Sequence, residues 1–353
     1  MVDLNVMVTG AGAPGIKGTI YSLKNNYDKR KIKLIGTDIK DDVIGKYFVE
    51  SFYKIPKPSE KEFINRILDI CEKENVNFIL PQVTDELEVF SKNKEKFEKN
   101  GVKVAVSDYE NFKIANNKFL LTKIAQEIGA GAAKLTLVKS MEELEEVLPF
   151  FGYPKKPVVI KPPSSRGMRG LRIIDETKNR YDFFMEEKPT SVFITKNELN
   201  NIFVEKFPEL LISEYMPGEE YSVDILADNG NPLVIIPRKR LEIRSGITFK
   251  GVTEKHEKII EYSKLLTEKL RLNYAFGFQF KLDEKNEPKL LECNPRIQGT
   301  MVMATLSGAN IIYSSLKLLL GEKIPKFDIK WNMKFIRYWG GISVFNDKFS
   351  EEI

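Results

Sequence analysis

The first third of the chain alternates short apolar runs with segments of helical periodicity. Apolar runs, each typical of a β-strand, cover residues 4–9, 33–38, 77–81 and 102–107. The segments 16–24, 59–74 and 85–100 repeat their apolar residues every three or four positions, which predicts helices. This alternation predicts an α/β domain over residues 1–112, with a parallel sheet covered on both faces and ligand sites at the carboxyl ends of its strands.

The pattern changes after residue 109. Helical spacing covers 111–129, 140–148, 256–271 and 308–320, and apolar runs cover 156–161, 171–174, 210–215, 221–227, 233–240, 275–283 and 288–293. We assign the runs from 210 onward to one antiparallel sheet, which makes the C-terminal part α+β. The pattern predicts no element in 175–208 or after residue 330.

Composition narrows the choice of function. The 353 residues suit two or three domains, and a formal charge of +5 gives no reason to expect nucleic acid. No apolar run approaches the roughly 20 residues that span a bilayer, so we expect no membrane partner. Two distant cysteines favour a reducing compartment, and we expect a cytoplasmic protein. A single histidine excludes multi-histidine metal sites.

The turn after the first strand is glycine-rich. Gly10, Gly12 and Gly15 lie in GAGAPG, and Asp38 ends the second strand. One interpretation is a dinucleotide site, and hence an NAD(P)-dependent oxidoreductase. The other is a tight turn, which any such sheet needs. Gly12 is also a candidate contact for a substrate.

A lysine and a flexible loop follow the strand at 156–161. Lys161 ends the strand VVIKP, and Ser165, Gly167 and Gly170 lie in the loop SSRGMRG. Such a loop offers backbone N–H groups and basic side chains to nucleotide phosphates, although it lacks P-loop spacing. The alternative is a β-hairpin with a basic tip.

The stretch LLISEYMPGEEYSVDIL joins two strands through a Pro-Gly turn. We predict that backbone groups near Glu214 and Met216 contact an adenine edge, with Met216 against the ring. Glu220 then lies where it can bind two ribose hydroxyls. The alternative is a plain hairpin with solvated glutamates.

Three oxygen-bearing side chains lie on the strands FGFQFKL and LLECNPR. Glu292 and Asn294 are two apart and so share one strand face, and Gln279 comes from the other strand. Carboxylate and amide oxygens suit Mg²⁺ bridging phosphates. Arg296 follows on the same side, where it could stabilise a transferring phosphoryl group.

Two further segments are candidates for the second substrate. Arg240 and Arg244, in PRKRLEIRSGIT, could bind a carboxylate or the γ-phosphate, or could belong to a solvated basic strand. Thr84 and Asp85 follow the third strand of the N-terminal domain, where open sheets bind ligands. Alternatively, one of them caps the next helix.

The lysine and its loop, the EYMPGEE crossover and the LLECNPR strand, in this order, resemble the ATP-grasp superfamily. They are similar to one synthetase half of the carbamoyl-phosphate synthetase large subunit, in which glutamine also fills the first metal position. The resemblance covers about residues 1–325, and the Met168-Arg169 tip of the loop departs from the usual glycine-serine pattern.

The resemblance implies a Rossmann-like pre-ATP-grasp domain over 1–112 and an ATP-grasp domain over 113–330, with a mobile lid at about 126–212. Residues 331–353 form an extension without an assigned role. The resemblance also implies that Lys118 is a second phosphate-binding lysine, that the cofactors are ATP and Mg²⁺ (with Mn²⁺ able to substitute), and that the protein is a homodimer.

The expected activity is an ADP-forming ligase that joins a small carboxylate to an amine through an acyl phosphate. The alternatives are a bicarbonate-activating enzyme of the same superfamily, the oxidoreductase above, and a regulator that binds ATP without turnover.

Overall fold

A computed structural model describes residues 3–163, 169–187 and 191–353. The chain divides into two compact units. The first unit contains the residues up to Asn116 together with 220–279 and 293–353, and the second contains 117–219 and 280–292. The division falls inside two strands, after Gln279 in one and after Glu292 in the other.

The N-terminal part of the first unit is the predicted α/β layer. Its elements are β1 (Leu4–Thr9), α1 (Ile16–Lys24), β2 (Ile32–Asp38), β3 (Ser51–Lys54), α2 (Phe63–Glu74), β4 (Phe78–Leu80), α3 (Thr84–Lys92), α4 (Lys94–Lys99), β5 (Lys103–Val104) and α5 (Tyr109–Ala115), with a 3-10 helix at Ile44–Phe48. The sheet has the order β3-β2-β1-β4-β5 and its pairs are parallel. The half-buried edge strand β3 has no apolar run and was not predicted.

Two cores explain why β1 is almost continuously apolar. Val6 and Val8 belong to one core and Met7 to the other, because successive side chains of a strand point to opposite faces. A strand buried on both faces cannot alternate between apolar and polar residues.

Two helices predicted as continuous are interrupted at asparagines. The segment 85–100 splits at Asn93 into α3 and α4. The segment 111–129 ends its first helix at Ala115 and restarts at Lys118, where the Asn117 side chain accepts hydrogen bonds from two backbone N–H groups of the new helix. Asparagine favours such caps because its short amide competes with helical backbone bonds.

The second unit begins with that helix. Its elements are α6 (Lys118–Glu127), β6 (Leu135–Val138), α7 (Met141–Val147), β7 (Val158–Lys161), β8 (Arg172–Ile174), α8 (Arg180–Glu186), β9 (Phe193–Ile194), α9 (Lys196–Ile202) and β10 (Leu210–Glu214), with a 3-10 helix at Leu148–Phe151. The sheet order is β6-β10-β7-β8-β9. The prediction that 210–215 joins the later antiparallel sheet is wrong, since β10 pairs with β6 and β7. The segment 175–208, which lacks a clean period, supplies two short helices and a two-residue strand in its described parts, 175–187 and 191–208.

The remaining chain builds a six-stranded sheet and the helices around it. Its elements are β11 (Glu220–Asp228), β12 (Asn231–Arg244), β13 (Ile247–Thr253), α10 (Glu257–Leu270), β14 (Tyr274–Leu282), β15 (Pro288–Asn294), α11 (Val302–Leu306), α12 (Ile311–Leu320), β16 (Lys334–Ile336), β17 (Ile342–Phe345) and β18 (Lys348–Glu352). The order is β15-β14-β11-β12-β13-β16, and β17 and β18 form a separate hairpin.

Two parts of this sheet were not predicted. Strand β12 continues to Arg244 and returns as β13 through a two-residue turn, in which Ser245 and Gly246 have φ angles of 48° and 78°. Left-handed φ at both positions is the geometry of a tight hairpin turn. Strand β16, from the unassigned tail, pairs with β13. Among the helices described, none has the length and apolarity needed to cross a membrane.

Candidate active site

Two lysines and one glutamate form the charged centre of the second unit. Lys118 is the first residue of α6, and its Nζ lies 3.3 Å from Glu292 Oε2, with side chains 11% and 30% exposed. Lys161, the last residue of β7, lies close enough to Lys118 and Glu292 for their charges to shift its pKa. Lys118 was predicted as a phosphate-binding residue only from the family resemblance. Lys161 and Glu292 were predicted from the patterns of their own strands.

The charge on Lys161 is unfavourable in this setting. Desolvation, together with the neighbouring Lys118 ammonium, lowers the pKa of Lys161 to about 8, and Glu292 opposes that shift only in part. Two adjacent lysine cations form an environment that a polyanion such as a phosphate chain would neutralise.

The loop after Lys161 is described only at its end. Ser165 and Gly167, predicted phosphate contacts, lie outside the described residues. Gly170 has φ of 74°, and a Cβ there would lie 2.7 Å from Cδ and Cγ of Pro162. Glycine is therefore needed at 170 for backbone reasons, independently of any contact with a phosphate.

The crossover after β10 is held by backbone contacts within the second unit. The Lys134 N–H donates to Glu214 Oε1 at 2.8 Å, and the Gly218 N–H donates to the Leu282 carbonyl at 3.0 Å. Met216 is 5% exposed. The Glu214 carboxylate is therefore occupied by the Lys134 amide. Backbone groups stay the predicted contacts for an adenine.

The three predicted metal ligands lie on β14 and β15. Glu292 and Asn294 are half-buried and Cys293 between them is 7% exposed, so the alternation expected for β15 is confirmed. Gln279 is half-buried on β14. The described residues contain no cluster of three or more His, Cys, Asp or Glu suited to a metal. Carboxylate and amide oxygens, as on these side chains, are hard donors that fit Mg²⁺.

Arg296 joins two other predicted residues within the first unit. Its Nε donates to Thr84 Oγ1 at 2.9 Å, Nη2 to Asn294 Oδ1 at 3.3 Å and Nη1 to the Ile297 carbonyl at 3.0 Å. The capping alternative for Thr84 and Asp85 is wrong, because α3 has Val83 at its N-cap and no side-chain cap. Asp85 is exposed in the first turn.

The two candidate arginines of β12 differ in environment. The side chain of Arg240 is 4% exposed and forms an ion pair with Glu220, the predicted ribose ligand. Arg244 is 47% exposed, pairs with Glu242 and lies over the Phe249 ring, with its guanidinium carbon 4.1 Å from the ring centre. The structure thus brings Arg240 together with Glu220 and leaves Arg244 on the exposed part of the hairpin.

The glycine turn is internally bonded. The Gly12 N–H donates to Asp38 Oδ2 at 2.8 Å, and Asp38 Oδ1 accepts from the Lys40 N–H at 2.9 Å. A Cβ on Gly15 would lie 2.6 Å from Cα of Gly299, so this turn packs directly on another backbone segment. A pyrophosphate would need the amide and the space that these contacts occupy, which argues against the dinucleotide interpretation.

The glutamate that follows Thr84 and Asp85 is buried at the same sheet edge. Glu86 is 2% exposed and accepts a hydrogen bond from the Thr9 hydroxyl. Burial, with a smaller contribution from Asp38, raises the pKa of Glu86 to about 8. The sequence PQVTDELE gave no signal for this, because a glutamate in the first turn of a helix is usually solvated.

Two further arginines hold the loop after β15. Arg238, 1% exposed, forms an ion pair with Asp224 at 2.6 Å and donates to Gln298 Oε1 at 3.0 Å. Arg337, from the tail, donates to the carbonyls of Pro14 and Gly299 at 3.1 and 3.3 Å. Burial lowers the pKa of Arg337. Only the fold could reveal that residues so distant in sequence converge on one loop.

Comparison with known families and structures gives a consistent result. Residues 206–336 match the family model described as ATP-grasp in the biosynthetic pathway with Ter operon, and residues 6–105 match the PylC-like N-terminal domain. The carbamoyl phosphate synthase large chain of Clostridium acetobutylicum is 23% identical over 311 residues, which is 85% of this chain and 26% of that protein. The chain therefore spans about a quarter of the length of this curated relative.

Two solved structures share the fold. N5-carboxyaminoimidazole synthetase from Staphylococcus aureus, in complex with ADP, has a TM-score of 0.68 at 15% identity, over 93% of this chain and 80% of that one. The biotin carboxylase domain dimer of the Hydrogenobacter thermophilus 2-oxoglutarate carboxylase, with MgADP, ADP and bicarbonate, has a TM-score of 0.67 at 17% identity, over 94% and 73%. These likenesses confirm the fold class predicted from the sequence.

Proposed function

Because this chain carries an ATP-grasp domain together with a PylC-like N-terminal domain, we propose that it is an ADP-forming ligase. Its substrates are ATP, a small carboxylate and an amine. The carboxylate is activated as an acyl phosphate and then joined to the amine. One observation carries the proposal: Lys118 and Lys161 lie beside each other and beside the carboxylate of Glu292, an arrangement suited to a nucleotide's phosphates.

The proposed reaction has two steps. A carboxylate oxygen attacks the γ-phosphorus of ATP, the bond from that phosphorus to the β–γ bridging oxygen breaks, and ADP leaves with the electron pair. The amine nitrogen then attacks the acyl carbon, inorganic phosphate leaves, and the amine gives up a proton as the amide forms. Lys118 and Lys161 hold the phosphates in line, and positioning of this kind supplies most of the catalysis in phosphoryl transfer.

The remaining predicted residues have roles that follow from their chemistry. Gln279, Glu292 and Asn294 are the proposed ligands of Mg²⁺, which when bound would neutralise phosphate charge. Arg296, held by Thr84 and Asn294, is the proposed donor to the transferring group. Backbone groups near Met216 are the proposed contacts for the adenine.

Bicarbonate as the activated carboxylate is the second candidate. The relative from Clostridium is a carbamoyl phosphate synthase, and the Hydrogenobacter structure contains bicarbonate. In this version the first product is carboxy phosphate; the nitrogen of the acceptor attacks its carbon, the bond from that carbon to the phosphate oxygen breaks, inorganic phosphate leaves, and the nitrogen gives up a proton. The same neighbour is described as a dimer, which supports proposing a homodimer here.

The test is ADP release from MgATP against a panel of amino acids, hydroxy acids and bicarbonate, with and without amines. Stimulation by one organic acid supports the ligase, and stimulation by bicarbonate alone selects the second candidate. Lys161→Met and Glu292→Gln should lower the stimulated rate about 10- to 100-fold, the loss expected for contacts to charged groups. Lys156→Met, an exposed lysine paired with Glu284 in the same unit, should leave the rate unchanged.

The negative outcomes separate two failures. Binding of ATP by calorimetry without stimulation by any acid would favour a regulator that binds ATP without turnover. Absence of ATP binding would reject the proposal entirely.

A further inference from the structure

Arg240 is bound by partners on three sides. Its Nη1 forms an ion pair with Glu220, its Nε donates to Thr248 Oγ1 at 2.9 Å, and its Nη2 donates to the Gly246 carbonyl at 2.6 Å. These partners belong to β11, β13 and the turn between β12 and β13. The guanidinium therefore connects two strands and a turn around one carboxylate.

The register of the sheet explains how the pair meets. Tyr221 on β11 is opposite Lys239 on β12, so Glu220 and Arg240 lie one position further along the same antiparallel ladder. Both side chains are largely buried, 18% exposed for Glu220 and 4% for Arg240. A buried cross-strand pair of opposite charge has a fixed geometry, unlike two solvated side chains.

Arginine suits this position better than lysine. The guanidinium is planar and presents its N–H donors in fixed directions, so it can serve Glu220, Thr248 and Gly246 at once. A lysine would keep the charge but has a single nitrogen on a flexible chain, which cannot reach three separate acceptors in these directions.

We propose that Arg240 is a positioning residue that holds the Glu220 carboxylate for the ribose of the nucleotide and thereby sets the preference for ribonucleotides. This inference rests on the proposed function. A carboxylate held in one orientation accepts hydrogen bonds from two hydroxyls, and a deoxyribose leaves one acceptor without its donor. A buried polar group left unpaired in this way is a strong source of discrimination.

The experiment compares calorimetric binding of ATP and 2′-deoxyATP in several variants. We expect the natural chain to prefer ATP, and Arg240→Lys to reduce that preference about tenfold or more, as expected for a bond to a charged group. Glu220→Gln should reduce it similarly, and the double variant should reduce it no further than Glu220→Gln does. Lys250→Met, which removes an exposed partner of Glu242 on the same hairpin, should preserve the preference.

Thr248→Val removes one partner of Arg240 while conserving side-chain shape, and should cause a smaller loss of the same preference. It keeps the test valid if Arg240→Lys fails to fold, which thermal unfolding would reveal. A natural chain that binds ATP and 2′-deoxyATP equally, or folded variants that keep the full preference, would overturn the inference. A natural chain that binds neither nucleotide would instead reject the proposed function.

Discussion

Lys161 loses its proton more easily than an ordinary lysine, because both desolvation and Lys118 oppose its charge. Its folded pKa of about 8 lies below the usual value near 10.4, so the charged form, which we propose binds phosphate, disappears as pH rises through 8. We predict that kcat/KM for ATP is constant below about pH 7.5 and falls about tenfold per pH unit above 8, measured by ADP release.

The matched variant is Lys161→Arg, whose guanidinium stays protonated throughout this range. It should abolish the fall between pH 8 and 9.5, although its lower activity at pH 7 will reflect the changed shape. A natural enzyme whose kcat/KM stays level to pH 10 would show that Lys161 does not contact the phosphates in the free-enzyme form that this parameter reports.

The pKa of Glu86 is shifted upward by burial, and this shift makes the stability of the fold depend on pH. Its pKa is near 8 in the folded chain and about 4.3 when unfolded, so the folded state holds an extra proton between these values. Stability therefore falls as pH rises from about 4.5 to 8, by at most about 1.4 kcal/mol per unit. Glu86→Gln should remove this contribution and make the variant more stable than the natural chain at pH 8 but not at pH 4.5, measured by urea unfolding. Equal differences at both pH values would mean that Glu86 is ionised in the folded state.

Single residues were predictable from sequence when their strand pattern was informative. Lys161 ends an apolar strand, and Glu292 and Asn294 alternate with buried Cys293, so residue type and spacing were sufficient to place them on their strands, and their roles stay predictions. No local pattern indicates that Glu86 and Arg238 are buried. Their burial depends on partners at distant positions, Thr9 and Asp224, which no local pattern encodes.

At the scale of elements, the tail contributes a strand to the larger sheet. Val252 and Lys250 of β13 pair with Lys334 and Ile336 of β16, and the backbone N–H of Arg337 donates to the Phe249 carbonyl. The hairpin of β17 and β18 is anchored more lightly, by an exposed ion pair between Lys17 and Glu352 and by the Phe48–Phe349 ring contact.

We predict that removing residues 341–353 costs about 1 kcal/mol of unfolding free energy, because exposed ion pairs contribute little. Removing 331–353 should cost several kcal/mol, since it also strips β13 of its partner strand and removes Arg337 from Pro14 and Gly299. Urea unfolding of both truncated chains is the measurement. Equal losses would mean that β16 adds no stability.

Elements with a clear period were predicted, and those defined by long-range pairing were not. The βαβ layer and the helix α10 follow directly from apolar spacing. The sheet to which β10 belongs could not be inferred, because a short apolar run fits any buried strand. The tail strand β16 has three residues of mixed polarity, so its own sequence does not predict a strand. It is extended because it pairs with the edge of β13.

For the whole molecule, sequence reasoning predicted the order of the domains along the chain, but it did not predict which residues belong to each compact unit. It placed an α/β layer first and an ATP-grasp fold after it, and the comparisons agree. It did not reveal that residues 280–292 belong with 117–219. Such membership depends on pairings like the one between Ala132 and Leu290, which are too far apart in sequence for any local signal.

This interleaving has a consequence for the chain as it leaves the ribosome. The second unit is interrupted by residues 220–279, sixty residues that belong to the first unit. At about 5–20 residues per second, synthesis of that insertion takes about 3–12 s. During this interval Ala132 and Gly131 lack their contacts with Leu290, and the Gly218 amide lacks its acceptor, the Leu282 carbonyl, because these residues have not yet been synthesised. The unit that contains Lys118 and Lys161 thus becomes complete only when Glu292 has been added.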